Sequence, residues 1–165
     1  MKLNLKPFYN MQDELDRRIE REHALEEKDL FTEKILALLV EVGELANETR
    51  CFKFWSSKPP SSKEVILEEF VDGLHFVLSI GITKGYKLPA TITIKDEQYD
   101  GLIQAFLDVY NDIQLLEKDH DVNKFVQLME DYLVIGRILG FTAEDVENAY
   151  LFKNEVNHSR QDQGY

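Results

Sequence analysis

The chain has 165 residues, of which 44% are hydrophobic and 30% charged, and its formal net charge is −12 at pH 7. These values predict a single globular domain over residues 1–165 and argue against a disordered chain. No apolar run reaches the ~18 residues that cross a bilayer, and the early acidic residues argue against a signal peptide, so we expect no membrane association. The single cysteine, Cys51, fits a reducing, cytoplasmic environment.

The excess of acidic residues disfavours nucleic acid as a partner, because binding to a phosphate backbone relies on Lys and Arg. An acidic protein can still bind a small phosphate ligand when metal ions stand between the two. The negative charge is therefore compatible with either a metal site or a solvated acidic surface.

Helical periodicity dominates the first half of the chain. We expect a charged, weakly amphipathic helix over about 11–24 and a second helix over about 29–49, which ends before a loop with two prolines and four serines. Ser61 is the predicted N-cap of a third helix, with Glu64 as its capping-box partner. This helix has a high apolar content, continues to about Lys84 and is expected to be central.

The second half begins with KLPATITIKD, which we interpret as an extended connection, because a lone strand would have no partner. Three further helices are expected. The fourth spans about 96–117 and the fifth about 121–139. The sixth is capped by Thr142, with Asp145 at its third position, and ends at about His158. A polar tail is predicted from about residue 159. Six helices without a credible sheet predict an all-α bundle of about six helices with a four-helix core.

Two acidic pairs stand out on neighbouring helices. Glu41 and Glu44 in LLVEVGELANE are three residues apart, as are Glu69 and Asp72 in VILEEFVDGLHF, so each pair shares one helix face. The carboxylates border the apolar stripe of each helix. If the two helices pack antiparallel, the pairs converge, and four close carboxylates repel one another strongly.

A cation would relieve that repulsion. Oxygen ligands favour a hard ion such as Mg²⁺, with Mn²⁺ as a possible substitute, and the chain has no CxxC or HExxH motif that would favour zinc. A metal with open positions could bridge the protein and a nucleotide phosphate. The alternative is that such acidic pairs are simply exposed to solvent, which is common on helices.

Four segments together resemble a known family: EVGELANE, CFKFWSSK, EEFVDGLHF and KNEVNHSRQDQGY. In this order they are similar to the dimeric all-α dUTPases, which belong with the MazG-type NTP pyrophosphatases, and the resemblance extends from about Met11 to Tyr165. It implies a homodimer that hydrolyses dUTP to dUMP and diphosphate with magnesium, and that also accepts dUDP.

The resemblance also implies roles for individual residues. Glu41, Glu44, Glu69 and Asp72 match the magnesium ligands, and one of the first pair, with Glu44 preferred over Glu41, would position or deprotonate the attacking water. The residues that match substrate contacts are Lys153, Asn154, Asn157 and Arg160 for the nucleotide and its phosphates, Trp55 and Lys58 in a closing loop, and Gln12 and His75 in the nucleoside pocket.

Each of these substrate residues has a structural alternative. Lys153, Asn157 and Arg160 could form a solvated helix face, Trp55 could cover the core, and His75 could be a packing histidine. Some relatives have asparagine where Asp16 stands, which bears on uracil recognition. For the whole protein, the alternatives are a related pyrophosphatase for another nucleotide such as dCTP, or a non-catalytic helical interaction domain.

Overall fold

The computed structural model describes residues 1–94 and 100–165. Within these ranges it contains six α-helices and a small sheet of two strands, which confirms the all-α fold predicted from the sequence. The helices are α1 (Leu5–Glu22), α2 (Phe31–Thr49), α3 (Lys63–Lys84), α4 (Leu102–Lys118), α5 (Val122–Ile138) and α6 (Ala143–Asp162), and the strands are β1 (Lys2–Asn4) and β2 (Thr91–Thr93). No helix of the described residues has the length and apolar character that a bilayer-spanning segment requires.

The strand pair corrects the prediction that residues 91–93 are an unpaired connection. β1 and β2 are antiparallel, with Leu3 opposite Ile92, and both of these side chains are buried. The amino group of Met1 donates to the carbonyl oxygen of Ile94 at 2.9 Å. The partner strand, β1, lies at the start of the sequence, and its three residues are too few to show a periodic pattern.

Several predicted helix ends also move. α1 begins after Asn4, whose side chain accepts from the backbone N–H of Lys6, rather than near Met11. Ser62, not Ser61, caps α3, because its side chain accepts from the N–H of Val65. The predicted start of the fourth helix at residue 96 lies outside the described residues, and the described helix begins at Leu102.

The last helix is longer than expected. Thr142 and Asp145 form the predicted capping box at its start. The helix then runs to Asp162, so the polar tail predicted from about residue 159 is largely helical. This extension keeps Arg160 on the same rigid element as Lys153.

α3 is the centre of the bundle and packs against α1, α2, α5 and α6. Its side chains Phe70, Leu74 and Val77 have no exposed surface. Gly73 lies so close to α5 that a Cβ atom built there would stand 2.1 Å from the hydroxyl oxygen of Tyr132. That hydroxyl donates to the carbonyl oxygen of Phe70 at 2.7 Å, so the missing side chain at Gly73 lets α5 approach α3.

Candidate active site

The seam between α2 and α3 carries the acidic residues of the candidate site. Near one end, the ammonium of Lys34 donates to the hydroxyl of Thr83 at 2.8 Å, and at the other end the hydroxyl of Ser61 donates to the carboxylate of Glu48. The start of α2 therefore meets the end of α3, so the two helices are antiparallel. This is the packing that brings the predicted acidic pairs together.

Three carboxylates meet in the middle of this seam. Oxygen atoms of Glu41, Glu69 and Asp72 all lie within 4.8 Å of one another, and each of these side chains is partly buried. Glu44 is exposed one turn along α2 and does not belong to this group of three. It is still close enough for its negative charge to raise the pKa of Glu41 and Glu69.

The cluster is electrostatically strained without a cation. Burial, followed by repulsion from Asp72, Glu44 and Glu69, raises the pKa of Glu41 from 4.5 to about 7. Burial and the charge of Asp72 likewise raise the pKa of Glu69. A raised pKa is expected for acidic groups that lie close together with little access to solvent. An oxygen-only donor set of this kind fits a hard divalent cation.

Lys153 links α6 to the cluster. Its ammonium lies 2.7 Å from Oδ2 of Asp72 and 2.9 Å from Oε1 of Glu68, and only 6% of the residue is exposed. Burial lowers the pKa of Lys153, but the bonds to Asp72 and Glu68 outweigh burial and hold that pKa above its ordinary value. Burial raises the pKa of Asp72 in spite of the opposing effect of Lys153. One fixed positive charge therefore offsets part of the acidic cluster.

A cleft of about 400 Å³ opens beside the cluster, between α1, α2, α3 and α6. A larger depression of about 640 Å³ near the end of α1 contains none of the three clustered carboxylates, so it is not the candidate site. The predicted residues that line the 400 Å³ cleft are Gln12, Glu41, Asp72, His75, Lys153, Asn157 and Arg160.

Buried polar groups form the floor of this cleft. Nε2 of Gln12 donates to Asp16 at 2.7 Å, and Oε1 of Gln12 is 2.6 Å from Nδ1 of His75 and 2.7 Å from the hydroxyl of Tyr150. The rings of His75 and Tyr150 stack with centroids 4.0 Å apart. The hydroxyl of Ser79 donates to the second carboxylate oxygen of Asp16 at 2.6 Å. Helices α1, α3 and α6 are thus joined by one hydrogen-bonded network.

The remaining predicted residues lie around this centre. The guanidinium of Arg160 donates to Oδ1 of Asn157 at 3.3 Å, whereas Oδ1 of Asn154 is buried without a hydrogen-bond partner among the described residues. Trp55 is 64% exposed, and neither Trp55 nor Lys58 is among the described residues that line the cleft. The structure therefore brings helix residues together and leaves the tryptophan loop apart from them.

Four residues of this site were not among the predicted site residues: Asp16, which was noted only as a departure from relatives, and Glu68, Ser79 and Tyr150. Tyr150 could have been found, because it lies three residues before Lys153 and seven before Asn157, on the same face of α6. A spacing of four residues likewise puts Asp16 beside Gln12, Glu68 beside Asp72 and Ser79 beside His75 on their helices. Their roles depend on which helices meet in the folded chain.

The family model described as dUTPase, of the second, all-α type, matches residues 4–165. The chain belongs to this dUTPase family. A search of curated proteins found no significant match.

Family membership settles the class of reaction: a dUTPase is a hydrolase that acts on a phosphoanhydride bond of dUTP. dUTPases generally use a divalent metal, and the cluster of Glu41, Glu69 and Asp72 is a donor set that fits one. The resemblance drawn from the sequence motifs is confirmed over essentially the whole chain.

Proposed function

We propose that this dUTPase is a magnesium-dependent dUTP diphosphatase that releases dUMP and diphosphate, accepts dUDP as well, and can use Mn²⁺ in place of Mg²⁺. The observation that carries the proposal is the close approach of Glu41, Glu69 and Asp72 next to a cleft. The raised pKa of Glu41 supports a cation site, because a bound cation favours the ionised carboxylate that burial and repulsion disfavour.

The metal would be held by Glu41, Glu69 and Asp72, with Glu44 as a further ligand. When bound, it supplies polarisation of the phosphate oxygens and lowers the pKa of a coordinated water. Glu44, which is exposed beside the cluster, is our first choice for the residue that orients or deprotonates the attacking water, and Glu41 is the second. The resemblance favours attack at the β-phosphorus.

The cations on α6 would hold the triphosphate. Lys153 is buried against Asp72, and Arg160 lines the same cleft two turns along the helix. With the triphosphate in this cleft, both positive charges would offset the negative charge that develops on the phosphates as the bond breaks, which is where fixed charges stabilise a transition state most. Asn154 and Asn157 would add polar contacts to the nucleotide.

The nucleoside would occupy the other end of the cleft. Gln12 and His75 supply polar groups at its floor, which suits discrimination by hydrogen bonding. Trp55 and Lys58 lie outside the cleft in a loop whose aromatic side chains are exposed, so we propose that this loop moves toward the base and phosphates when substrate binds.

We also propose a homodimer formed through an exposed apolar face of α2 and α4. Leu36 is 63% exposed and Val40 51% on α2, and Ile103 is 50% and Leu107 56% on α4. The two pairs lie on neighbouring helices, since the hydroxyl of Tyr110 donates to a carbonyl of α2 at 3.2 Å. Burial of this apolar area against a second copy would stabilise association.

Sedimentation velocity tests the dimer. Leu107→Glu should give a monomer at micromolar concentration, whereas the control Leu151→Glu, at an exposed position of α6, should leave a dimer. A wild-type monomer, or a Leu107→Glu dimer, would refute this interface.

A cytoplasmic location, without nucleic acid as a partner, remains our prediction from charge and the single free Cys51.

A nucleotide panel tests the activity. We expect diphosphate release from dUTP, and phosphate from dUDP, with Mg²⁺ or Mn²⁺ and not with EDTA, and a clear preference over dCTP and dTTP. Glu69→Gln should lower kcat/KM at least ~100-fold, because it removes a charged ligand from the cluster. The control Glu14→Gln removes the same charge from an exposed position of α1 and should match wild type. Equal turnover of all nucleotides, or full activity in EDTA, would refute the proposal.

A further inference from the structure

The floor of the cleft contains a carboxylate, Asp16, that accepts hydrogen bonds from three neighbouring side chains. Asp16 is only 8% exposed, and its carboxylate accepts from Gln12 at 2.7 Å, from Ser79 at 2.6 Å and from Lys34 at 3.4 Å. An ionised carboxylate can only accept hydrogen bonds. The amide of Gln12 must therefore turn its NH₂ group to Asp16 and its oxygen to the opposite side.

This orientation of Gln12 decides the tautomer of His75. Because Oε1 of Gln12 is an acceptor 2.6 Å from Nδ1 of His75, the proton of the neutral ring lies on Nδ1. The hydroxyl of Tyr150 donates to the same oxygen at 2.7 Å. Burial lowers the pKa of His75 to about 3, so the ring is neutral and Nε2 is a bare acceptor.

Nε2 of His75 is buried and has no hydrogen-bond partner among the described residues, although His75 lines the cleft. A buried acceptor without a partner has lost its hydration and gains most when a donor reaches it. Because the atom is buried, a donor can reach it only after a small movement of the groups around it.

We propose that Asp16 is a positioning residue for the nucleoside: through Gln12 it holds His75 in the Nδ1–H tautomer, so that Nε2 accepts a hydrogen bond from the substrate. This rests on the proposed function, in which the nucleoside lies at this end of the cleft. The donor is either the imide N–H of the base or a sugar hydroxyl, which share the chemistry that a bare imidazole nitrogen recognises.

The ligand-free protein tests the tautomer without any assay of activity. Long-range ¹⁵N–¹H NMR should show His75 as the Nδ1–H tautomer in wild type. In the Asp16→Asn variant, Ser79 and Lys34 still donate to the side-chain oxygen of residue 16, so the new NH₂ group faces Gln12. The amide of Gln12 then rotates, so that its oxygen faces residue 16 and its NH₂ group faces His75. His75 should then become the Nε2–H tautomer. The control is Asp13→Asn, one turn earlier on α1 and outside the cleft, which should match wild type.

Kinetics then tests the link to substrate. Asp16→Asn should raise KM for dUTP at least ~10-fold and change kcat less than ~3-fold, because an acceptor has become a donor while the phosphate end is intact. In wild type, weaker binding of N3-methyl-dUTP identifies the base N–H as the donor, and weaker binding of 2′,3′-dideoxy-UTP identifies the sugar hydroxyl. Whichever analogue wild type binds more weakly than dUTP, Asp16→Asn should no longer discriminate against it.

Three results would overturn the inference. The first is a wild-type His75 protonated on Nε2, and the second is an Asp16→Asn variant that keeps both the tautomer and the KM of wild type. The third is a wild-type protein that binds both analogues as tightly as it binds dUTP. Failure of the proposed function would be different, because the chain would then not prefer dUTP in the nucleotide panel, whatever the tautomer of His75.

Discussion

Replacement of Glu41 by glutamine should stabilise the metal-free protein while it abolishes metal binding. The pKa of Glu41 is raised from 4.5 to about 7 by burial and by the neighbouring carboxylates. Its charge is therefore unfavourable in the folded chain above pH 7. The gap between the two values corresponds to at most about 3.4 kcal/mol, and water screening of a half-buried group reduces the expected gain to about 1–2 kcal/mol.

The sign of the effect depends on pH in a defined way. Below pH 4.5 Glu41 is protonated in both the folded and the unfolded chain, so Glu41→Gln should change little. As pH rises from 4.5 to about 7, the unfolded chain loses this proton first, and the wild type loses stability relative to the variant. Above pH 7 the difference should stay constant.

Urea unfolding in EDTA at pH 4, 6 and 8 measures this difference. Glu44→Gln is the matched control, because it removes the same charge one turn away at an exposed position. The reasoning is refuted if Glu41→Gln destabilises the metal-free protein at pH 8, or if Glu44→Gln gives the same gain. With excess Mg²⁺ the order should reverse, since only wild type gains the free energy of metal binding.

Two further substitutions test the surroundings of the cluster. Lys153→Met leaves Asp72 without its ion-pair partner at 2.7 Å. We therefore expect kcat/KM to fall at least ~10-fold and the unfolding free energy to fall by about 1–3 kcal/mol. Unchanged values of both would contradict the role of this buried cation. Gly73→Ala places a Cβ atom 2.1 Å from the hydroxyl of Tyr132 and should lower the unfolding free energy by about 1–3 kcal/mol, measured by thermal denaturation. Gly43→Ala, with its nearest contact at 3.1 Å, should cost less, and an equal cost of the two substitutions would contradict the tight packing of α3 on α5.

Local patterns in the sequence predicted the parts of the fold that depend on neighbouring residues. Apolar periodicity predicted the six helices that residues 1–94 and 100–165 contain, and the spacing of three residues put Glu69 and Asp72 on one face of α3. The antiparallel packing of α2 and α3 was left as a condition, and it is the contacts of Lys34 with Thr83 and of Ser61 with Glu48 that establish it. These predictions succeeded because the period of a helix is written into every turn.

The features that were missed depend on contacts between distant segments. β2 finds its partner in β1, about ninety positions earlier in the chain, and no local pattern indicates that pairing. Glu68 meets Lys153, and Gln12 meets Tyr150, only because α1, α3 and α6 come together. Helical periodicity places each side chain on a helix face, but it does not show which faces meet at the floor of a shared cleft.

A crystal structure with Mn²⁺ and a non-hydrolysable dUTP analogue would test the central claim most directly. Anomalous scattering locates Mn²⁺ independently of any assumption about its ligands. We predict a peak within bonding distance of Glu41, Glu69 and Asp72, with the triphosphate of the analogue on its open side. A peak elsewhere in the protein, with these three carboxylates free of metal while the triphosphate is bound, would contradict the account.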